Sequence, residues 1–153
     1  MKIKLVVVGK IKEQFYKDAI DEYMKRISPM ANINIIEVKE VNTNDINKNK
    51  QEEAKNILEK VDNNDYVITL EILGSMMDSV ELAKYIDNHY TFSASTLCFI
   101  IGGSDGLDES VIKRSDMHLS FSKFTFPHQL MRVILLEQLY RALTILNNKT
   151  YHK

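Results

Sequence analysis

Residues 97–106 read LCFIIGGSDG and residues 118–129 read HLSFSKFTFPHQ. In each stretch an apolar, strand-like run ends in a loop of small or polar residues. An α/β domain usually builds its ligand pocket from loops that follow neighbouring parallel strands. The two stretches therefore predict an α/β fold whose pocket is formed by the last third of the chain.

Working outward from these loops, strand-like and helix-like runs alternate along the whole sequence. β-Branched and Leu-rich runs predict strands at 2–8, 33–38, 66–72, 97–101 and 118–121. Apolar spacing predicts helices at 11–27, before 61, at 80–86, at 109–114 and from Pro127 to about 147. Asn42–Lys50 is predicted to be an exposed loop or a frayed helix start, and Gly74–Asp78 a loop. The alternation predicts a single domain over 1–153, with a mainly parallel sheet covered by helices on both faces.

The final predicted helix is apolar around most of its circumference. Such a helix has to be buried on nearly all sides, and in a small domain the sheet covers only one of them. The sequence therefore predicts a homodimer in which this helix joins two subunits. The alternative is that the helix lies between the sheet and another helix of the same chain.

Composition restricts the class of protein. The chain has 153 residues and a net charge of −1, and no apolar run approaches the roughly 20 residues that span a membrane. It lacks a signal peptide, and the single Cys98 forms no internal disulfide, so a cytoplasmic protein without membrane association is expected. Residues 110–153 contain seven Lys or Arg and two acids. This asymmetry is consistent with an anionic partner, but equally with chance clustering on the surface.

Each loop alone is a weak functional signal. Gly102–Gly106 is neither a P-loop nor a dinucleotide fingerprint, and by itself indicates a structural turn. Phe121–Phe126 alternates aromatic and hydroxyl-bearing residues, which suits either an adenine-like flat ring or a loop anchored to the core. His118, His128 and His152 lack paired ligand spacing, so no metal site is predicted.

Taken together, the motifs are specific. The chain resembles, over its whole length, the RlmH family of bacterial large-subunit pseudouridine N3-methyltransferases, which belongs to the SPOUT superfamily. The resemblance is carried by Val6–Lys10, Thr69–Glu71 with Gly74, Ile101–Leu107, Leu119–Lys123, Thr125–Gln129, Arg132, Glu137–Gln138, Tyr140–Ala142 and Tyr151–Lys153.

The resemblance implies a C-terminal trefoil knot, a homodimer and S-adenosylmethionine as the methyl donor. It implies cofactor contacts from Leu70, Gly102, Phe121, Ser122, Lys123, Phe124, Thr125 and Phe126. The implied substrate is N3 of a pseudouridine in the helix 69 loop of 23S rRNA, within the assembled ribosome. The alternatives are a SPOUT methyltransferase that acts on tRNA and a non-catalytic ribosome-binding factor.

The chemistry adds candidate catalytic residues. N3 of pseudouridine is a poor nucleophile until its proton leaves, so a general base and cations that position RNA are expected. The candidates are His128, Arg132, Tyr151 and His152. Histidine is the residue type best suited to act as a base near neutral pH, although His128 suits loop packing equally well. Arg132 is expected on the RNA side as a phosphate clamp or a stabiliser of the deprotonated base. Tyr151 and His152 are expected to reach an active site, either their own or the partner subunit's.

Overall fold

The computed structural model describes residues 1–153 and contains one sheet of five strands. The strands are β1 (Lys2–Val8), β2 (Asn32–Val38), β3 (Tyr66–Met76), β4 (Leu97–Ile101) and β5 (Met117–Ser120). Their order in the sheet is β2-β1-β4-β3-β5, and every neighbouring pair is parallel. The predicted parallel α/β architecture is confirmed, and the carboxyl ends of all five strands lie at one edge.

Five helices connect and follow the strands. They are α1 (Gln14–Ile27), α2 (Ile46–Leu58), α3 (Ser79–Phe92), α4 (Glu109–Arg114) and α5 (His128–Leu146). Of the two predictions for Asn42–Lys50, the helix start is confirmed for the second half, because α2 begins at Ile46. The Asp45 carboxylate accepts a hydrogen bond from the Lys48 N–H at 3.1 Å, and this cap lets a polar segment start a helix.

The side chains of β1 and β4 alternate between two hydrophobic cores. Leu5, Val7 and Phe99 belong to the larger core, which α1, α3 and α5 complete. Val6 and Ile100 point to the opposite face, where α2 and α4 cover a smaller core. The sheet is thus the middle of three layers, as predicted. Cys98 is fully buried in the smaller core, and burial raises the pKa of its thiol to about 12.

Strand β3 is longer than the sequence predicts. It runs through the expected Gly74–Asp78 loop as far as Met76, and its pairing with β5 slips in the middle. Leu70 and Ser75 both pair with Leu119, so the four residues Glu71–Gly74 form a bulge. The bulge brings the backbones close: a Cβ on Gly74 would lie 2.8 Å from the carbonyl carbon and oxygen of His118.

Helix α5 is enclosed by its own chain more than the sequence suggests. Pro127 immediately precedes the helix rather than occupying its first position. Residues on α5 join α1, α3 and the sheet in the larger core, with Leu135, Leu136 and Leu139 fully buried. Contacts within one chain therefore account for much of the apolar surface of α5, as the alternative reading proposed. The homodimer and the trefoil knot stay predictions. No helix has the length and apolar character required to cross a membrane.

Candidate cofactor and active site

One cavity of about 820 Å³ opens at the carboxyl ends of β3, β4 and β5. Leu70 contributes the β3 wall, Ile101 and Gly102 the β4 wall, and Leu119 and Phe121 the β5 wall. Pro127, His128 and Met131 close it from the start of α5. The volume is within the range of small-molecule sites, and the walls are largely apolar. The two loops singled out in the sequence therefore meet at one pocket.

The glycine loop Gly102–Gly106 is tightly folded. A Cβ on Gly102 would lie 3.0 Å from a Leu107 methyl carbon, and one on Gly103 would lie 3.1 Å from Val8 Cγ1 and 3.3 Å from Glu53 Oε1. Gly106 has φ +84°, the left-handed region that glycine adopts without strain. Glycine is thus favoured at these positions, where the loop folds back against the sheet and α2.

Two buried polar residues of α2 support the glycine loop from behind. The Asn49 side-chain amide donates to Asp105 Oδ2 at 3.2 Å, which ties the loop to the segment before α2. The Glu53 carboxylate is 3% exposed; its Oε2 accepts from the Val41 N–H at 2.9 Å, while its Oε1 has no partner. Burial raises the pKa of Glu53, with smaller contributions from the charges of Glu40 and Asp105.

The aromatic loop Phe121–Phe126 forms the opposite wall. Serine hydroxyls stabilise the turn of this loop. The Ser120 hydroxyl donates to the Ser122 carbonyl at 3.1 Å, and the Phe124 N–H donates to Ser122 Oγ at 3.0 Å. Phe121 packs against the larger core, whereas Phe124 remains 78% exposed although it lines the cavity, so Phe121 anchors the loop and Phe124 does not. Lys123 is exposed and is not on the cavity wall, so the structure separates it from the other predicted cofactor residues.

Among the four predicted catalytic residues, only His128 lines the cavity. It is the first residue of α5, and its Nε2 lies 3.9 Å from the place that a Cβ on Gly9 would occupy. Gly9 follows β1 with φ +87°. The imidazole therefore lies where the start of α5 meets the end of β1, in position to contact a substrate that enters the cavity.

Arg132 was expected to face the RNA, but its guanidinium is buried inside the subunit, so that expectation is wrong. The residue is 2% exposed and makes an ion pair with Glu37, with 2.8 Å between Nη1 and Oε2. Its Nη2 donates to the carbonyl oxygens of Gly9 at 3.1 Å and Val8 at 3.4 Å. Burial lowers its pKa, opposed by Glu37. Arg132 is therefore engaged in joining α5 to the ends of β1 and β2.

Tyr151 and His152 lie at the other end of α5. Asn148 adopts φ +54°, and the Lys149 N–H donates to the Thr144 carbonyl at 2.8 Å, so the chain turns back along the helix. The Tyr151 hydroxyl donates to Glu137 Oε1 at 3.0 Å. Burial and this hydrogen bond raise the pKa of Tyr151 to about 12, so the hydroxyl is protonated at neutral pH. His152 Nδ1 accepts from Arg141 at 3.2 Å.

The tail and His128 are far apart within one chain. Tyr151 packs on Tyr140, with 4.6 Å between ring centroids. Tyr140 is twelve residues after His128 on the same helix, which corresponds to roughly 18 Å along the axis. A single chain therefore does not bring the predicted catalytic residues together.

Sequence reasoning missed two carboxylates on the cavity wall, Glu71 and Asp105. Asp105 lies in the glycine loop that was already singled out. Glu71 directly follows the apolar run Val67–Leu70, and a charged residue at the end of a buried strand was the available signal. Nowhere in the structure do three or more His, Cys, Asp or Glu side chains gather in a way that suits a metal ion.

Comparison with known proteins defines the class. The family model described as "Predicted SPOUT methyltransferase" matches residues 1–152. A solved structure described as a probable methylase family protein from Haemophilus influenzae Rd KW20 superposes with a TM-score of 0.56 at 14% identity. That likeness covers 99% of this chain and 70% of the other, and it concerns the fold alone.

Closer relatives define the family within that class. Ribosomal RNA large subunit methyltransferase H of Clostridium botulinum (strain Eklund 17B / Type B) is 51% identical over 159 aligned positions. The protein of the same name from Finegoldia magna is 50% identical. Both alignments cover 100% of this chain and of the relative. The chain therefore belongs to the RlmH family of SPOUT methyltransferases, as the sequence motifs predicted.

Proposed function

We propose that this protein transfers a methyl group from S-adenosylmethionine to N3 of a pseudouridine in the helix 69 loop of 23S rRNA, on the assembled ribosome in the cytoplasm. The observation that supports it most is the cavity at the carboxyl ends of β3, β4 and β5. Seven of the eight predicted cofactor residues line that cavity, and His128 lies at its edge. The full-length relatives named as large-subunit rRNA methyltransferases support the substrate class.

The cavity fits an adenosyl cofactor. Its apolar walls suit a flat ring, the tightly folded glycine loop leaves backbone groups uncovered, and the hydroxyl-rich loop after β5 supplies polar atoms. Leu70, Gly102 and residues of Phe121–Phe126 would hold it. When bound, S-adenosylmethionine supplies an electrophilic methyl group on a sulfonium, so the protein's task is alignment more than activation.

Residues around the cavity have two further roles in this proposal, accepting the N3 proton and positioning the group that accepts it. An imidazole nitrogen of His128 accepts the N3 proton, which exposes the nucleophilic lone pair. Arg132 acts from behind the site: its hydrogen bonds to Val8 and Gly9 carbonyls fix the loop against which His128 lies. It is thus a positioning residue rather than a phosphate clamp in this proposal.

A homodimer would complete the site. Within one chain the tail lies roughly 18 Å from His128 along α5, so both act on one substrate only if the tail belongs to the other subunit. Arg141, Tyr151 and His152 form a polar cluster that a partner's cavity would receive. We therefore propose that each active site combines His128 of one subunit with Tyr151 and His152 of the other.

The proposed reaction is tested by mass mapping of helix 69. Ribosomes from a strain lacking this gene are incubated with the protein and S-adenosylmethionine, and we expect one added methyl group on the pseudouridine base. Free tRNA and protein-free 23S rRNA are assayed in parallel, and much lower incorporation is expected in both. An unmodified helix 69 would refute the proposal, methyl transfer to tRNA would favour the alternative substrate, and binding to ribosomes without transfer would favour a non-catalytic factor.

The shared site is tested by subunit complementation. His128→Ala and a chain shortened before Tyr151 are each expected to lose most activity as homodimers. Random mixing in equal amounts gives half heterodimers with one intact site each, so about a quarter of the wild-type activity should return. Equal activity before and after mixing would show that the tail serves its own subunit, and full activity of the shortened chain would remove the tail from the site.

A further inference from the structure

We propose that Glu71 binds the sugar of the cofactor, with its Oε1 accepting a hydrogen bond from a ribose hydroxyl. This inference rests on the proposed function, because it assigns a new residue to the same cavity. The argument begins with the bulge Glu71–Gly74 in β3. Bulges near sites redirect side chains, and here Glu71, Ile72 and Leu73 all line the cavity although they follow one another in sequence.

Two protein groups fix the orientation of the Glu71 carboxylate. The Thr69 hydroxyl donates to Oε2 at 2.5 Å, and Thr69 is itself fully buried. His118 Nδ1 also bonds to Oε2, and because a carboxylate only accepts, this nitrogen carries the hydrogen. Thr69 and His118 lie on neighbouring strands, so the carboxylate is held from both β3 and β5.

The second oxygen is left for a ligand. The hydrogen bonds of the carboxylate all go to Oε2, while the Glu71 side chain is only 19% exposed and borders a mainly apolar cavity. A partly buried carboxylate oxygen without a partner is stabilised when a ligand donates a hydrogen bond to it. A hydrogen bond to a charged acceptor is stronger than one between neutral groups. The other cavity carboxylate, Asp105, accepts one hydrogen bond, from Asn49, so its orientation is less fixed than that of Glu71.

Position favours the sugar over the other donors of the ligand. Leu70 pairs with Leu119, and Phe121 begins the aromatic loop two residues later. If that loop holds the adenine, Glu71 lies beside the nucleoside end of the ligand, where the ribose hydroxyls are the adjacent donors. In dinucleotide-binding α/β folds, a carboxylate at the end of a parallel strand likewise accepts hydrogen bonds from ribose hydroxyls.

Calorimetric titration tests the assignment without any RNA. The ligands are S-adenosylmethionine, S-adenosylhomocysteine, and the 2′-deoxy and 3′-deoxy forms of the latter. We expect Glu71→Ala to weaken both natural ligands by the same factor, about tenfold or more, and Glu71→Gln to weaken them less. One deoxy form should bind wild type about tenfold more weakly than the parent, yet bind Glu71→Ala as well as the parent does.

Controls separate this contact from a general disturbance. His118→Ala removes one of the two groups that orient Glu71 while Thr69 still holds the carboxylate, so it should cost less affinity than Glu71→Ala. Additive losses for the deoxy ligands and Glu71→Ala would overturn the assignment. If Glu71→Ala lost affinity only for S-adenosylmethionine, the assignment would also be overturned. That result would mean that the carboxylate interacts with the positive charge of the sulfonium and not with the ribose. If wild type binds none of the ligands, the proposed function itself fails.

Discussion

Arg132→Met is expected to lower the free energy of unfolding by about 2–3 kcal/mol, because buried carbonyl groups lose their hydrogen-bond donor, while the Glu37 side chain is 39% exposed and stays partly solvated. Methionine retains the apolar stem but leaves the Gly9 and Val8 carbonyls without their donor, and Glu37 without its countercharge. Because these groups hold the loop beside His128, methyl transfer should fall further than stability alone explains. Denaturant unfolding at one fixed protein concentration measures the first effect, and single-turnover methylation at saturating cofactor the second.

Arg26→Met is the matched control for that experiment. Arg26 is also an ion-paired arginine on a helix, with 2.9 Å between its Nε and Glu22 Oε1, but the two side chains are 43% and 52% exposed. An exposed pair contributes little, so the loss of stability should be much smaller than that of Arg132→Met. Equal losses in the two variants would contradict the structural role of Arg132. If Arg132→Met had normal stability but bound ribosomes more weakly, the result would favour the hypothesis that Arg132 binds an RNA phosphate.

Gly74→Ala is expected to destabilise the fold by about 2–3 kcal/mol, at the upper end for one added methyl group in a packed region. The new Cβ would lie 2.8 Å from the His118 carbonyl and 2.9 Å from the Leu119 carbonyl carbon. These are backbone atoms of β5, so the strands must separate to relieve the contact. Leu70, Glu71 and Phe121 would move with them, and calorimetry should show cofactor affinity at least tenfold weaker.

Gly106→Ala distinguishes crowding from backbone strain. Gly106 has a positive φ, but no atom lies within 4 Å of its added Cβ. Its cost is therefore that of a left-handed residue alone, about 1–2 kcal/mol. A Gly74→Ala variant as stable as wild type would show that β3 and β5 can separate freely, and that the bulge does not constrain the cavity.

The sequence was sufficient where local pattern and global fold agree. Leu97–Ile101 reads as a buried strand and is one, and Lys2–Val8 is correct at both ends. The extension of β3 to Met76 was missed because it depends on pairing with a distant strand, β5. The start of α2 stayed open between a loop and a helix start, and the cap at Asp45 decides for the helix.

In the site, too, features set by local sequence were predictable and features set by distant contacts were not. Strand ends and loop chemistry predicted where the cavity would form, because parallel strands place their carboxyl ends together. The environment of Arg132 was not predictable, since Glu37 and Gly9 are remote in sequence and its burial follows from helix packing. Glu71 was missed because a regular strand would not aim it into the cavity, whereas the bulge does.

The position of β4 in the middle of the sheet has a consequence for how the protein is made. β4 separates β1 from β3, so before residue 97 leaves the ribosome the only sheet pair available is β1 with β2. The cavity walls on β4 and β5 come later still, so the cofactor has no complete site on the growing chain. Non-local parallel pairing of this kind is slow. Until then the apolar strand β1 has an unpaired edge, which makes the growing chain prone to aggregation during synthesis.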